Sequence, residues 1–216
     1  MSCIMMVMKN PIEEKLQNNW KSIKKEIRRK AVHLSSLWIP YIIYILPGQT
    51  AVCLFLFLLI GDFIFEYGYY KRYRWARKTF GSLFYKTLRN KEITNEKFHP
   101  TGSIYVLTAA LICSCFFNKY AAIIGLTVML VADSAAALVG KAYGRIKIYK
   151  NKTLEGTLAF FFSAVLVNII LSTIHPFGMC SVLACSAVTL AELFEDKIRI
   201  DDNLSVPLLT ACILSL

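Results

Sequence analysis

Apolar residues along this chain are concentrated in seven blocks, each interrupted by no more than a few polar positions. The blocks cover residues 31–46, 50–67, 102–117, 120–140, 156–174, 177–193 and 204–216. A helix needs roughly 20 apolar residues, with about 17 tolerated, to cross the hydrocarbon core of a bilayer. The middle blocks qualify, whereas the first is short and the last, which stops at residue 216, can be a partial span. The pattern predicts an all-α, polytopic membrane bundle of about seven transmembrane helices.

The composition agrees with a membrane location. Hydrophobic residues make up 56% of the 216 positions, which is more than a soluble domain of this size usually contains. The opening stretch, "MSCIMMVMKN", has too short an apolar run for a signal peptide, and no basic region precedes it. The seven cysteines lie in apolar segments without metal-ligand spacing, so we expect small core residues and no disulfide framework.

The basic residues are distributed very unevenly between the two sides of the predicted bundle. Of the 25 Lys and Arg residues, 24 fall in segments 1–30, 68–100, 141–155 and 195–203. Because cytoplasmic loops of membrane proteins collect Lys and Arg, we expect these segments and the N-terminus to be cytoplasmic. Orientation and anionic lipid headgroups account for the positive charge, which argues against nucleic acid as a partner.

Two parts are expected from this distribution: a basic cytoplasmic segment, 1–30, and a single membrane-embedded domain, 31–216. The large inner loop, 68–100, alternates aromatic residues with Lys and Arg. Tyr69, Tyr73, Phe80 and Phe84 recur at helical spacing, which predicts an amphipathic helix on the headgroup plane. A solvated basic linker is the alternative.

Four carboxylates lie inside the apolar blocks: Asp62, Glu66, Asp133 and Glu192. An Asp at the centre of a membrane helix costs about 2.5–3.5 kcal/mol on insertion scales, so such residues usually face a cavity or a partner. Beside Asp133 runs a seam of small residues at four-residue spacing, which lets helices approach closely in lipid. Its members are Ala132, Ala136, Gly140 and Gly144. Asp133 is expected to face a polar pocket; a simple hydrogen bond to a neighbouring helix is the alternative.

The loop after this seam, "GKAYGRIKIYKNKTLEG", combines glycines with Lys141, Arg145, Lys147 and Lys152. Exposed backbone N–H groups and basic side chains suit phosphate oxygens. The sequence contains neither a P-loop nor a Rossmann glycine motif. Carboxylates beside a basic, glycine-containing loop fit a Mg²⁺–nucleotide site.

Two further cytoplasmic segments carry candidate residues. "EIRRKAVH" places Arg29, Lys30 and His33 where the first block begins, although a basic pair there can also be a positive-inside anchor. "AELFEDKIRIDDNLSVP" supplies Glu192 and the triplet Asp201, Asp202 and Asn203. Such a triplet can hold a metal, but it is also common as a cap before a helix.

Five segments in this order, "EIRRKAVH", "HPTGSIY", "DSAAALVGKAYG", "KTLEGT" and "DDNLSVP", resemble the CTP-dependent lipid kinases. That family includes dolichol kinase, phytol kinase, the CTP-using diacylglycerol kinase and bacterial diacylglycerol/polyprenol kinases, and it is related to phosphatidate cytidylyltransferases. The resemblance covers residues 26–210. The chain is short and ends within the seventh block, so we expect a lipid pocket that is smaller than in the family or completed by another subunit. A homo-oligomer therefore stays open.

The residue patterns and the resemblance together provide the candidate site. The catalytic candidates are Arg29, Lys30, Asp133 and Lys152. The nucleotide-binding candidates are His33, Gly140, Lys141, Gly144, Glu155, Gly156 and Asn203. The metal-binding candidates are Asp133, Glu192, Asp201 and Asp202.

The resemblance implies transfer of the γ-phosphate of CTP to the hydroxyl of a membrane lipid alcohol, diacylglycerol or a polyprenol, at the cytoplasmic face. Mg²⁺ or another divalent cation is the implied cofactor, and Asp133 either binds it or accepts the hydroxyl proton. A phosphatidate cytidylyltransferase is the nearest alternative, but its longer C-terminal signature is not found here. A membrane transporter is the second alternative, since it would also need buried carboxylates.

Overall fold

A computed structural model of the chain describes residues 11–76, 78–79, 98–150, 152–173, 178–198 and 200–216. The helices are α1 Pro11–Ser35, α2 Trp38–Ile45, α3 Gly48–Tyr70, α4 Arg74–Ala76, α5 Gly102–Phe116, α6 Lys119–Tyr143, α7 Leu154–Ser172, α8 Met179–Leu193, α9 Glu195–Ile198 and α10 Asp202–Leu214. Two short strands, β1 Lys147–Tyr149 and β2 Lys152–Thr153, pair antiparallel between α6 and α7. The prediction of an all-α membrane bundle is confirmed.

Six helices coincide with the second to seventh apolar blocks. Of these, α3, α6 and α7 are long and apolar enough to cross a membrane, and α5, α8 and α10 are shorter apolar helices. The number of spans and the side of the N-terminus remain predictions. The central helix is α6, which packs against α1, α2, α5, α7 and α10 and is mostly buried, whereas α3 is mostly exposed at the periphery.

The first block differs from the single short span that its length suggested. Helix α1 runs without interruption past residue 30 to Ser35, and α2 begins only at Trp38. Pro40 lies in the first turn of α2, where its missing N–H needs no intrahelical partner. A continuous helix would require that N–H to bond the carbonyl of Ser36, so the proline explains the break.

The small-residue seam predicted on α6 is confirmed as a contact with the start of α7. A Cβ added to Gly156 would lie 3.1 Å from the Ala136 carbonyl oxygen, and one added to Gly140 would lie 3.5 Å from the Gly156 Cα. At the other end of α6, a Cβ on Gly125 would approach the Pro207 carbonyl oxygen of α10 to 2.6 Å. Glycines therefore let α6 touch both neighbours backbone to backbone.

The inner loop does not continue as one helix through Tyr69 and Tyr73. Helix α3 ends at Tyr70, and Arg72 adopts a left-handed conformation with φ 61° before α4 begins. This turn folds Trp75 back against Gly68, where an added Cβ would meet the indole at 2.9 Å. No single helix therefore joins Tyr69 to Tyr73. Phe80 and Phe84 lie outside the described residues, so the amphipathic helix stays a prediction for the rest of the loop.

Candidate functional site

The deepest charged contact joins α1 to α6. Lys30 donates from its Nζ to Asp133 Oδ2, although the two residues are only 4% and 7% exposed. His33 follows Lys30 on the same helix face, and its Nε2 lies 3.4 Å from the same oxygen. Removing one partner of a buried ion pair typically costs about 3–5 kcal/mol, because the other charge is left uncompensated. Asp133 therefore holds α1 against α6, in addition to placing a negative charge inside the bundle.

A second contact between α1 and α6 is made by Glu26. Its Oε1 accepts from Arg29 Nη2 at 2.5 Å, and its Oε2 accepts from Lys141 Nζ at 3.3 Å. Partial burial raises the pKa of Glu26, but the two neighbouring cations outweigh it and hold the pKa below its ordinary value of 4.5. Sequence reasoning did not select Glu26. Its i,i+3 spacing from Arg29 was the available signal.

Lys152, on β2, reaches the C-terminal end of α8 and the start of α9. Its Nζ lies 2.5 Å from Glu192 Oε1 and 3.4 Å from Glu195 Oε2. Burial lowers the pKa of Lys152, but the Glu192 carboxylate beside it has the larger combined effect and the net shift is upward. Glu195 is a second residue that sequence reasoning missed, although it stands three positions after Glu192.

Glu195, Asp201 and Asp202 form an acidic group in which one carboxylate oxygen from each residue lies within 4.8 Å of the others. Asp202 is buried, and its Oδ1 has no hydrogen-bond partner among the described residues. The same is true of Glu192 Oε2. The Asp133 carboxylate lies close enough to interact electrostatically with Asp202. Carboxylate oxygens without protein donors are the ligands that Mg²⁺ prefers, so this donor set fits a divalent cation.

The triplet Asp201, Asp202 and Asn203 also caps α10. Asp201 Oδ1 accepts from the Asn203 N–H at 3.1 Å and from Asn203 Nδ2 at 2.6 Å. Asn203 is buried against the start of α5, where its Nδ2 would lie 3.6 Å from a Cβ on Gly102. The capping alternative is therefore present in the structure, and it leaves Asp202 Oδ1 available.

Two glycines at the end of α6, Gly140 in its last turn and Gly144 just after it, pack the β hairpin against the helix. A Cβ on Gly144 would come within 2.8 Å of Thr153 Oγ1, and one on Gly140 within 3.2 Å. Thr153 Oγ1 accepts from the Gly156 N–H at 3.2 Å, which caps the start of α7. These contacts hold Lys152 next to α6.

Glu155 is bonded to the backbone of the same loop. Its Oε1 accepts from the N–H groups of Arg145 at 3.0 Å and Ile146 at 3.3 Å. The carboxylate therefore shapes the loop between α6 and β1.

Most of the predicted site residues, together with Glu195, thus lie in three groups. We call the first the charged cluster; its members are Lys30, Asp133, Lys152, Glu192, Glu195, Asp201 and Asp202. Arg29 and Lys141 form a second group, in which both pair with Glu26. In the third group, Gly140, Gly144 and Gly156 pack against Thr153, the neighbour of Lys152, and Glu155 bonds the backbone of Arg145 and Ile146. The arrangement brings the candidates together, and the role of each remains a prediction.

A separate carboxylate pair lies on α3. Glu66 is buried and accepts from the Thr101 N–H at 3.0 Å, from the Thr101 hydroxyl, and from Ser103 Oγ at 3.0 Å. It therefore caps the N-terminus of α5 from a neighbouring helix. Asp62 lies one turn away and interacts with Ser103.

The chain is similar over nearly its whole length to known proteins. It is 31% identical over 195 residues to an uncharacterized protein of Methanocaldococcus jannaschii, which covers 88% of this chain and 93% of that protein. It is 27% identical over 211 residues to CTP-dependent diacylglycerol kinase 1 of Schizosaccharomyces pombe, with 90% and 94% covered. A shorter match, 34% over 89 residues, covers 38% of this chain and 17% of the dolichol kinase of Saccharomyces cerevisiae.

No family model matches the chain, and no solved structure matches it. The names of the characterised relatives nevertheless agree with the family that the ordered motifs resemble. The chain belongs to the family of CTP-dependent lipid kinases.

Proposed function

We propose that this protein transfers the γ-phosphate of CTP to the hydroxyl of a membrane lipid alcohol, diacylglycerol or a polyprenol, at the cytoplasmic face of a membrane. The similarity to a CTP-dependent diacylglycerol kinase over 94% of that protein supports the reaction class. The concentration of Lys and Arg in alternate connections supports the orientation. The observation that carries the proposal is the charged cluster, in which α1, α6, β2, α8, α9 and α10 bring acids and lysines together inside an apolar bundle.

The acidic side of the cluster provides the site for Mg²⁺ or another divalent cation. Glu195, Asp201 and Asp202 would hold it, with Asp133 and Glu192 close by. The unpartnered oxygens on Asp202 and Glu192 are the structural support for this assignment. The bound cation would neutralise part of the triphosphate charge.

The basic side of the cluster provides phosphate ligands. Lys30 pairs with Asp133 and Lys152 pairs with Glu192, while Arg29 and Lys141 pair with Glu26, one turn before Lys30 on α1. Each of these cations is now paired with a carboxylate, so nucleotide binding would exchange partners. The lysines would turn to phosphate oxygens and the carboxylates to the metal, which keeps every buried charge compensated.

Asp133 is positioned for the accepting alcohol. It lies eight residues before Lys141, roughly 12 Å along α6 from the basic loop. A lipid hydroxyl near the headgroup level can approach this depth while its tail stays in the bilayer. The alcohol oxygen would form a bond to the γ-phosphorus as the bond to the β–γ bridging oxygen breaks. CDP would leave, and the hydroxyl proton would pass to a carboxylate such as Asp133. Positioning and charge compensation supply most of the catalysis in such transfers.

The test uses the purified protein in phosphatidylcholine vesicles with Mg²⁺ and CTP labelled at either the α or the γ phosphate. Diacylglycerol, a polyprenol and phosphatidate are supplied separately, and unlabelled ATP is added as a competitor. We expect γ label in the lipid fraction with an alcohol, and weaker competition by ATP than by CTP. Label from the α position with phosphatidate alone would instead establish a cytidylyltransferase. Absence of label from both positions would overturn the proposal.

A further inference from the structure

A cavity of about 310 Å³ lies between α7 and α8, at the ends of these helices remote from the charged cluster. Residues that line it include Val165, Asn168, Ser172, Ser181, Val182 and Cys185. Asn168 is fourteen residues beyond Leu154, roughly 21 Å along α7, and Ser181 is eleven residues before Glu192, roughly 16 Å along α8. The cavity is therefore distinct from the candidate phosphoryl-transfer site.

Asn168 lines the cavity and carries a buried hydrogen-bond acceptor that no described group uses. The residue is only 4% exposed, and its Nδ2 donates to the Ala164 carbonyl at 3.0 Å and to Cys185 Sγ at 3.2 Å. These two bonds fix the amide, whereas its Oδ1 is buried without a partner in the part of the chain that the structure describes. A buried acceptor left unsatisfied costs about 1–3 kcal/mol. A ligand that donates a hydrogen bond would remove this cost.

The remaining walls restrict the kind of ligand. No Lys, Arg, Asp or Glu occurs among the described lining residues, so nothing there matches a charged phosphate headgroup. Ile169 and Val182 border the cavity and are 60% and 55% exposed on helices of a membrane bundle, where they face lipid. The surroundings therefore suit a neutral molecule with a hydrogen-bond donor at one end and a hydrocarbon tail at the other. Among membrane components, that description fits a lipid alcohol.

We propose that this cavity is a second lipid-binding site, which takes the hydroxyl of a neutral lipid alcohol on Asn168 Oδ1 and lets the tail leave between Ile169 and Val182. Its volume is at the lower end of the range for ligand pockets, which are about 300–1,000 Å³. It would hold the polar end of the lipid and leave most of the tail in the bilayer. The proposal does not require the protein to be a kinase.

The experiment uses full-length protein with Asp133→Asn, so that turnover does not consume the probe, in phosphatidylcholine vesicles. The probe is diacylglycerol that carries a diazirine close to the glycerol. We expect photolabel on peptides within 165–185, with displacement by unlabelled diacylglycerol and not by phosphatidate. Asn168→Leu should reduce this label roughly five-fold, the change expected from one net hydrogen bond of about 1 kcal/mol.

A second variant guards against loss of packing at Asn168. Ser181→Phe fills the cavity and leaves both bonds of the Asn168 amide intact, so it should also reduce the label. Ser186→Phe places the same side chain on an exposed position of α8 and should leave the label unchanged. If neither Asn168→Leu nor Ser181→Phe reduces the label, or if phosphatidate displaces the probe as well as diacylglycerol does, the cavity is not an alcohol site and the proposal is wrong.

Discussion

Asp133 and Glu66 are both buried carboxylates on apolar helices, but their surroundings differ in kind. Asp133 is paired with Lys30 and lies near further acids that have unsatisfied oxygens. Glu66 receives hydrogen bonds from Thr101 and Ser103, and within the described ranges it makes no ion pair. An acid in a membrane helix is therefore not sufficient evidence for a site. The two regions differ in the partners of the acid. The partner of Asp133 is a lysine, which can turn to a phosphate while a metal takes its place on the carboxylate, whereas the partners of Glu66 are neutral hydrogen-bond donors.

The largest effect is expected from the same substitution made in both regions. Asp133→Asn should lower phosphoryl transfer by roughly 10³-fold or more, because it removes a metal ligand or base. Glu66→Gln should keep the turnover number and lower the free energy of unfolding by about 1–3 kcal/mol, the cost of impaired capping bonds. Transfer of γ label and thermal unfolding in the same detergent measure both. Equal losses of activity would remove the distinction between the regions.

Metal and nucleotide should bind the charged cluster together. If CTP bound alone, Lys30 and Lys152 would leave their carboxylates uncompensated. If Mg²⁺ bound alone, the carboxylates would leave these lysines uncompensated. We expect saturating Mg²⁺ to tighten CTP binding by roughly 10- to 100-fold, a coupling of about 1–3 kcal/mol. Titration calorimetry with and without metal measures this, and Glu195→Gln should reduce the coupling whereas Glu66→Gln should not. Equal CTP affinity without metal would contradict the exchange of partners.

The β hairpin offers a matched pair of lysines. Lys152 is held by Glu192 and Glu195, whereas Lys147 is exposed on the partner strand. Lys152→Met should raise the KM for CTP roughly 10- to 100-fold, the loss of one charge-assisted hydrogen bond of about 1.5–3 kcal/mol. Lys147→Met removes the same charge and should leave the KM for CTP near the wild-type value. Similar KM values for the two variants would show that only the total charge of the loop matters.

The smallest effect concerns the dependence of stability on pH. The pKa of Glu26 is depressed in the folded protein. Its ionised carboxylate therefore stabilises the fold above pH 4.5, and this stabilisation is lost as the pH falls through the lower pKa of the folded state. The wild type should therefore lose stability below about pH 4.5 more steeply than Glu26→Gln does. Lys152 has a raised pKa, so its charge stabilises the fold fully below pH 10.5, and this stabilisation is lost only at higher pH. Unfolding curves for both proteins between pH 3 and 8 provide the measurement; parallel curves would exclude Glu26 as a source of acid sensitivity.

The sequence predicted the apolar helices well because six of them coincide with uninterrupted apolar blocks. It did not predict that the first block is divided between two helices, because the effect of Pro40 on helix continuity was not considered. The seam on α6 was also predictable, since four-residue spacing of small side chains has a direct structural meaning.

The pairing of charges could not be predicted in the same way. Lys30 and Asp133 are 103 positions apart, and nothing local in the sequence indicates which lysine meets which acid. Glu26 and Glu195 stand in charged segments that we predict to be cytoplasmic, where a solvated position is the ordinary expectation. Only the packing of α1 and α9 near α6 and β2 identifies them as neighbours of the site.

The central claim is that the charged cluster around Asp133 performs phosphoryl transfer and does not merely hold the bundle together. The most direct test is transfer of γ label from CTP to diacylglycerol by the double variant Lys30→Met and Asp133→Leu. Replacing a buried ion pair with apolar residues of similar size is often neutral for stability, so the variant should unfold near the wild-type temperature. We expect no measurable transfer by this folded protein. Transfer within tenfold of the wild type would contradict it.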